Sequence, residues 1–436
     1  MLSREDNELL CRIGPGTPMG ALMREYWVPA GLSSELPERD GAPLRVRLLG
    51  EDLIAFRVTS GAVGLVKNAC PHRGASLFYG RNEDEGLRCV YHGWKFDVCG
   101  TCVDMPSEPA ESRFKDKVRA KAYPCVERRG VIWAYLGSRA TPPPMPALEP
   151  FEAEHPSIQV YQRECNWVQA LEGDIDTCHT AFLHLGHVTA DEAPAGTWAR
   201  YALADRAPRY EVADTDFGVM YGAHRPAEAD TVYWRLANFL FPFYAMVPTG
   251  VLGMEVRVRA WVPMDDEHTL AYTINVNAPP PTRQAGRQIV GPVETLPNTG
   301  DWYGRFRPIP NQNNDYLIDR KEQKSVSYTG IGAIFMQDQA VTESMGPIYD
   351  RAEEHLGSSD QMVIRTRKRL IDAARALRDR GETPPGVDRP EVYGVRSGGV
   401  VLPRGADWLA ATAELRKARV NHPELSRAVL GGLPAV

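Results

Sequence analysis

The stretch "CPHRGASLFYGRNEDEGLRCVYHGW", Cys70 to Trp94, sets a C-x-H pair and a C-x-x-H pair sixteen residues apart. Ligand-forming side chains in two short matched groups constrain the chain to fold so that two loops face each other. Two thiolates on one iron and two imidazoles on the other make a mixed-ligand [2Fe–2S] centre, whose neutral His ligands raise the potential above that of an all-Cys cluster. Pro71 and Gly74 shape one loop and Gly93 the other. Structural zinc is the competing reading. Zinc fingers keep like ligands together, however, whereas each loop here mixes Cys with His.

A cluster of this kind needs little more than a hundred residues, and the chain has 436. That length exceeds a single core and predicts at least two domains. Apolar residues at 43 % and charged ones at 24 % match ordinary globular usage, which excludes a disordered or fibrous chain. With Lys+Arg 50 against Asp+Glu 56 there is no basic footprint, so nucleic acid and anionic membrane are not expected partners. The most apolar run, Phe239 to Met254, is broken by Pro242 and Pro248 and is too short to span a bilayer. The start "MLSREDNELL" lacks the basic region of a signal peptide, and eight cysteines in such a chain are expected to stay reduced. A cytoplasmic protein is expected.

Along the chain, residues 1–40 form an N-terminal segment with an amphipathic "NELLCRI" and turn residues from Gly14 to Pro18. Residues 41–150 alternate apolar and polar positions in short runs such as "RVRLLGEDLIAFRV", the pattern of a small all-β domain. "TPPPMPALEP", Thr141 to Pro150, marks the junction, because its prolines favour an extended linker. In residues 151–436, Trp167, Leu171 and Ile175 recur at helical spacing, followed by strand-like "MYGAHR", "TVYWRLANFLF", "GMEVRVRAWVPM" and "TLAYTINVNA". "APPPTRQ" opens a loop-rich excursion to about Asn314. A second helical region begins near Gln337, and Ser358 with Gln361 has capping-box spacing ahead of a long amphipathic helix. Strands followed by helices predict an α+β second domain. No internal repeat or low-complexity tract is present.

The second domain carries its own constellation, Asp176-x-x-His179-x4-His184, in "EGDIDTCHTAFLH". Oxygen-activating non-haem iron sites use two histidines and one carboxylate on one face, leaving open positions. Residues five apart stand about 140° apart on a regular helix, so His179 and His184 converge only if the helix ends or bulges between them. His187, three residues beyond His184, is a rival, and satisfied structural histidines compete with any ligand reading. Cys99 and Cys102 in "CGTC" lack the βαβ context of a redox motif and read as incidental thiols in a turn. Cys11, Cys125, Cys165 and Cys178 read as small buried residues.

With these residues in view, "CPHRG…CVYHGW" resembles the Rieske proteins. Ala75 and Tyr91 stand where the respiratory branch has its additional disulfide, so the resemblance is to Rieske ferredoxins and ring-hydroxylating oxygenases. "NWVQALEGDIDTCHTAFLH" is similar to the mononuclear-iron motif of the Rieske non-haem iron oxygenases, and "PGTPMG", "VDMPSEP", "NNDYLIDR" and "QDQAVTESMGPI" are similar to the phthalate dioxygenase type of oxygenase α-subunit. That group includes O-demethylases of lignin-derived biaryl acids. The resemblance implies a Rieske [2Fe–2S] domain and a helix-grip-like catalytic domain with an antiparallel sheet. It implies that Cys70, His72, Cys89 and His92 hold the cluster and that His179 and His184 bind iron(II). Asp338 is the implied third ligand, with Asp315 and Asp319 as competitors, and Asp176 is implied to link the iron site to His92 of a neighbouring subunit.

It further implies O₂ as co-substrate and a homotrimer or hexamer without a β-subunit. The chain shows no G-x-G-x-x-G after a strand, no plant-type ferredoxin cysteine set and no flavin-binding segment, so electrons from NADH are expected through a separate reductase. An aromatic acid as substrate calls for an arginine in the second domain. Arg206, Arg235, Arg257 and Arg259 are available; Arg235, beside the aromatic-rich "VYWRLANFLFPFY", ranks first and Arg206 second. Ring hydroxylation leads, O-demethylation is its nearest rival, and a non-catalytic electron carrier is the alternative from another class.

Overall fold

The computed structural model describes residues 2–153, 156–276 and 292–418, together with the backbone of 282–283 and 289–290. Most of "APPPTRQ" lies outside them. Two short helices open the chain, Arg4–Cys11 capped by the Ser3 hydroxyl and Pro18–Arg24 capped by Thr17 with proline in its first position. Leu9, Leu10, Met19 and Leu22 from these helices are buried and pack toward the long helix Gln361–Arg380.

The region that follows is β throughout. One antiparallel sheet joins Leu44–Leu48, Glu51–Arg57, Val63–Lys67 and Ala122–Tyr123 in that order. A second joins Arg81–Glu83, Gly86–Arg88, Lys95–Phe96 and Cys102–Asp104, and a third joins Trp27–Leu32, Val131–Tyr135 and Cys125–Arg128. Leu44–Leu48, at a sheet edge, buries Val46 and Leu48 and leaves the alternate arginines partly exposed, the period-2 signature of a half-covered strand. A separate apolar cluster of Phe56, Val66, Leu77, Leu87, Trp94 and Phe96 supports the two Cys/His loops.

Beyond residue 156 the frame is an eight-stranded sheet. Its antiparallel order is Ser157–Arg163, Thr269–Val276, Val256–Pro263, Tyr244–Met246, Thr231–Leu240, Gly218–Pro226 and Arg209–Asp214, with Gly398–Pro403 also pairing alongside Thr231–Leu240. In Thr231–Leu240 every residue from Tyr233 onward is buried, because the strand has neighbours on both edges and cover on both faces. Helix Trp167–Asp174 leaves the first of these strands through a turn capped by Asn166, whose side chain accepts from the Val168 N–H at 3.1 Å. Helix Ile334–Glu343 packs against it.

One apolar core runs from Leu9 and Trp27 through Trp133 and Trp167 to Trp261, Leu370 and Trp408, so packed contacts cross both residue 40 and residue 150. The long helix ends at Gly381, whose φ of +66° suits a residue without a side chain. Its start differs from the expected capping box. The Gly357 N–H donates to Asp360 at 2.6 Å, and Ser358 instead offers its carbonyl to the Gln361 amide.

Candidate functional site

The two Cys/His loops repeat one backbone pattern. In the first, the Cys70 N–H donates to the Ala75 carbonyl (2.8 Å) and the Gly74 N–H to Cys70 (2.9 Å). In the second, the Cys89 N–H donates to Trp94 (2.9 Å) and the Gly93 N–H to Cys89 (3.0 Å). Both closures need a left-handed residue, and Gly74 and Gly93 supply φ of +77° and +78°. A Cβ at Gly93 would stand 2.6 Å from Pro106. The loops bury Cys70 and Cys89 and bring the His72 and His92 rings to a centroid distance of 4.5 Å, with Trp94 stacked on His72 at 4.2 Å.

Burial, reinforced by the neighbouring Cys89 thiol, pushes the Cys70 pKa up to about 11, so paired thiolates here call for a cationic partner. The His92 Nδ1 is buried without a hydrogen-bond partner among the described residues. Two crowded thiols and an orphaned imidazole nitrogen fit a cluster ligated by two Cys and two His.

The second site forms where helix Trp167–Asp174 stops. Ile175 leaves helical geometry, Asp176 caps the turn by accepting from the Cys178 N–H (2.6 Å), and a single short helix, Thr180–Leu183, follows. Its last turn is widened, since the Thr180 carbonyl accepts from His184 (3.3 Å) and also from Leu185 (3.2 Å), a five-residue bond. That widening brings two histidines five apart onto one face, with Nε2 atoms 3.2 Å from each other.

Asp338, from helix Ile334–Glu343, completes the triangle with Oδ1 at 3.2 Å from His184 Nε2 and 3.5 Å from His179 Nε2. Donors bonded at right angles to one ion over about 2.0–2.2 Å lie about 3 Å apart, so these separations fit a facial two-His, one-carboxylate centre. Among the described residues this is the one group of three His, Cys, Asp or Glu donors gathered within 4.8 Å.

The outer nitrogens fix the tautomers. His179 Nδ1 faces Asp176 Oδ2 at 3.2 Å and His184 Nδ1 faces Gln337 Oε1 at 2.8 Å, so each Nδ1 proton is held outward and each Nε2 points at the shared space, where a metal ion would take the place of any second proton. Burial opposes a charge on His179, yet Asp176 and Asp338 outweigh it and push its pKa up to about 10. Asp338 lies well below the usual carboxylate range, burial being overridden by His184 and His179. The pocket is electrostatically built for a cation. A cavity of about 440 Å³ opens beside it, bounded by Asp176, His179, Leu183, Asp338, Val341 and Met345.

Other residues considered from the sequence stand apart. His187 Nε2 donates to the Gln323 carbonyl (3.1 Å) and leans on Tyr328. Asp319 caps helix Arg320–Ser325, and Asp315 sits in a kink at φ +49°. Cys99 lies exposed in the turn closed by Asp97, and Cys102 begins a strand. Arg257 is engaged by Asn275 and Arg259 by Asp174, leaving Arg235 buried and Arg206 partly exposed over Phe182. Gln337 escaped the sequence reading; its only signal there is its place next to Asp338.

Comparison with known proteins agrees with this geometry. Residues 26–124 match the family model of the Rieske [2Fe-2S] domain and residues 134–428 that of the LigXa C-terminal domain like family. The chain is 48 % identical to the 3-chlorobenzoate-3,4-dioxygenase oxygenase subunit of Comamonas testosteroni, over 94 % of this chain and 98 % of the relative. It is 39 % identical to the phthalate 4,5-dioxygenase oxygenase subunit of Pseudomonas putida, over 94 % of each. Among solved structures, dicamba monooxygenase shares the fold at a TM-score of 0.55 with 18 % identity, over 83 % of this chain and 100 % of that one. No helix among the described residues is long and apolar enough to cross a membrane. With a Rieske domain joined to a LigXa-like domain, and with such relatives along nearly its whole length, the chain belongs to the Rieske non-haem iron oxygenases, as an oxygenase component using a [2Fe–2S] cluster and a mononuclear iron.

Proposed function

We propose that the substrate is an aromatic carboxylic acid, that its ring is cis-dihydroxylated, and that Arg235 and Arg225 receive its carboxylate. The observation that carries this reading is a pair of buried guanidiniums without an anion. Arg225 is 0 % and Arg235 5 % exposed, and the register Ala223↔Arg235, Arg225↔Tyr233 sets them on the same face of adjacent strands. Arg225 donates its Nε–H to the Asp205 carbonyl (2.7 Å), while both terminal nitrogens lack partners among the described residues. Arg235 donates to the Pro248 carbonyl (3.2 Å), lies over Trp198 (4.9 Å) and has no partner for its Nε among the described residues.

Neither forms an ion pair with a carboxylate among the described residues, and two uncompensated buried charges are costly until an anion arrives. Tyr210 and Tyr221 share this face; both feel the Asp176 charge, and both hydroxyls are buried with no hydrogen-bond partner among the described residues. The influence of Asp176 on both tyrosines supports placing this face on the side of the iron loop. The named substrates of the two dioxygenase relatives are aromatic carboxylates, which supports the reading. Arg206, which reaches the Tyr328 hydroxyl at 3.5 Å, is the second choice for the outer edge of the pocket.

In this assignment His179, His184 and Asp338 hold iron(II), and Cys70, His72, Cys89 and His92 hold the cluster. Bound iron supplies open positions where O₂ and substrate meet, and the cluster supplies electrons singly. Asp176 and Gln337 keep the Nδ1 protons in place, so both Nε2 atoms stay free to ligate. The electrons start from NADH in a separate reductase. Copies assemble as a trimer or hexamer, in which Asp176 bridges to His92 of the partner subunit; exposed Val90 and Tyr91 beside the cluster, and exposed Val341 and Met345 beside Asp176, suit such a contact. We keep residues 1–40, 41–150 and 151–436 as the functional division. We place the protein in the cytoplasm, where cysteines outside the cluster stay reduced thiols, in keeping with none of the eight forming a disulfide.

The test is oxygen uptake by the iron-loaded protein with a reductase, across phthalates, benzoates and methoxylated aromatic acids, with products identified by mass. Coupled uptake giving a dihydroxylated acid supports the reading, and its loss in Arg235→Met at low but not at saturating substrate supports the carboxylate contact. The second reading, O-demethylation, is favoured by 32 % identity to the 5,5'-dehydrodivanillate O-demethylase oxygenase subunit of a Sphingobium strain, and formaldehyde release would establish it.

A further inference from the structure

Behind the carboxylate ligand lies a cation that the iron site does not need for ligation. Arg163 ends the strand Ser157–Arg163 and is 1 % exposed. Its Nη1–H donates to the Thr342 hydroxyl at 3.0 Å, and that hydroxyl donates to the Asp338 carbonyl at 2.8 Å, one turn back along the same helix. The guanidinium lies against the faces of Trp261 (4.6 Å) and Phe335 (4.7 Å). Its Nε and Nη2 are buried with no partner, and it forms no ion pair among the described residues.

A second buried cation, Arg259, lies over the same Phe335 ring but is neutralised by Asp174. Arg163 has no such private counter-charge. The charge that most favours its ionised form is Asp338, ahead of Asp174, although burial works against it. An arginine stays protonated even here, because its intrinsic pKa exceeds any realistic penalty.

We infer that Arg163 tunes the mononuclear centre through its charge: held by Thr342 against the helix turn that presents Asp338, its unpaired buried guanidinium weakens iron binding while favouring the ferrous over the ferric state. The inference rests on the reading of Asp338 as an iron ligand. The signs follow from electrostatics alone. A fixed positive charge repels the bound ion, and it repels the ferric form more strongly than the ferrous one. At an effective dielectric of about 20 a neighbouring unit charge changes the affinity for a divalent ion by about tenfold or more.

The experiment measures iron(II) affinity by chelator competition and the mononuclear midpoint potential by spectroscopic titration, in the full chain with its cluster intact. Arg163→Met is expected to bind iron about tenfold tighter and to show a lower potential, whereas Arg163→Lys, which keeps the charge, stays within about twofold of the parent. A purely structural role predicts the opposite, weaker iron binding in Arg163→Met, and that result or an unchanged affinity and potential overturns the inference. If Arg163→Met does not fold, Arg163→Gln, which keeps an amide donor and removes the charge, decides: tighter iron binding with a lower potential supports the charge role, and unchanged affinity and potential overturn it. Asp338→Asn in parallel separates the two claims, since retention of iron there defeats the ligand assignment rather than the role of Arg163.

Discussion

Replacing Gln337 by Met tests whether orientation of His184 is a separate contribution to the iron site. The Gln337 side chain is fully buried; its Oε1 accepts from His184 Nδ1 at 2.8 Å and its Nε2 donates to the Ile331 carbonyl at 2.8 Å. Methionine keeps the volume and removes both bonds. Two buried polar groups then lose their partners, at about 1–3 kcal/mol each, so the metal-free protein is expected to lose about 2–6 kcal/mol of stability. The iron centre loses more specifically. Without an acceptor at Nδ1 the ring is free to rotate and to place its proton on Nε2, and removing such a support lowers metal affinity about 10–100-fold, or about 1.4–2.8 kcal/mol.

Chelator competition followed by iron analysis measures the second quantity, and thermal unfolding of the metal-free protein measures the first. The visible spectrum of the cluster serves as the internal control, since Gln337 belongs to the other site. A Gln337→Met protein that unfolds earlier yet binds iron as tightly as the parent would refute the orientation argument and leave Gln337 a packing residue.

Further expectations can be checked in the same preparations. His179→Ala is expected to lower iron from about three to about two per chain, abolish turnover and leave the cluster absorbance unchanged; three irons in that variant would remove His179 from the ligand set. Asp176→Asn is expected to keep both centres filled and slow electron delivery to the mononuclear site about 10–100-fold in single turnover, and parental rates would count against the bridge. Asp265 joins Arg47 of the β region (3.0 Å) to His268 (3.0 Å) and the Tyr303 hydroxyl (2.7 Å), and these bonds, overriding burial, hold its pKa below the usual carboxylate range. Because the folded value is depressed, the stabilisation is present above about pH 4 and is lost as pH falls toward the folded value. Asp265→Asn should therefore unfold earlier at pH 7 and lose less stability than the parent between about pH 4 and pH 2, and parallel pH curves would exclude the linkage.

What could be read from the sequence divides along a physical line. The chemistry of a metal dictates which side chains can meet it, so Cys70, His72, Cys89 and His92 stand out as candidates by type and spacing before any fold is known, whereas spacing left His187 a rival of His179 and His184 and the family resemblance chose between them. The strands of the large sheet were legible for a similar reason, since runs such as "TVYWRLANFLF" have one economical way to bury themselves. The supports were not legible. Gln337 lies 153 positions from His184, and Arg163 lies 179 positions from Thr342, so only the folded chain brings them together. The spacing objection to His179 and His184 shows the same limit from the other side. On a regular helix it was correct, and the structure meets it with one five-residue bond from Leu185 to Thr180, a local departure that no periodicity encodes. A sequence therefore names the atoms that must meet a metal more readily than the neighbours that hold them there. For that reason the informative variants are at Gln337 and Arg163, whose replacement leaves every candidate ligand in place and changes only its support or the charge around it.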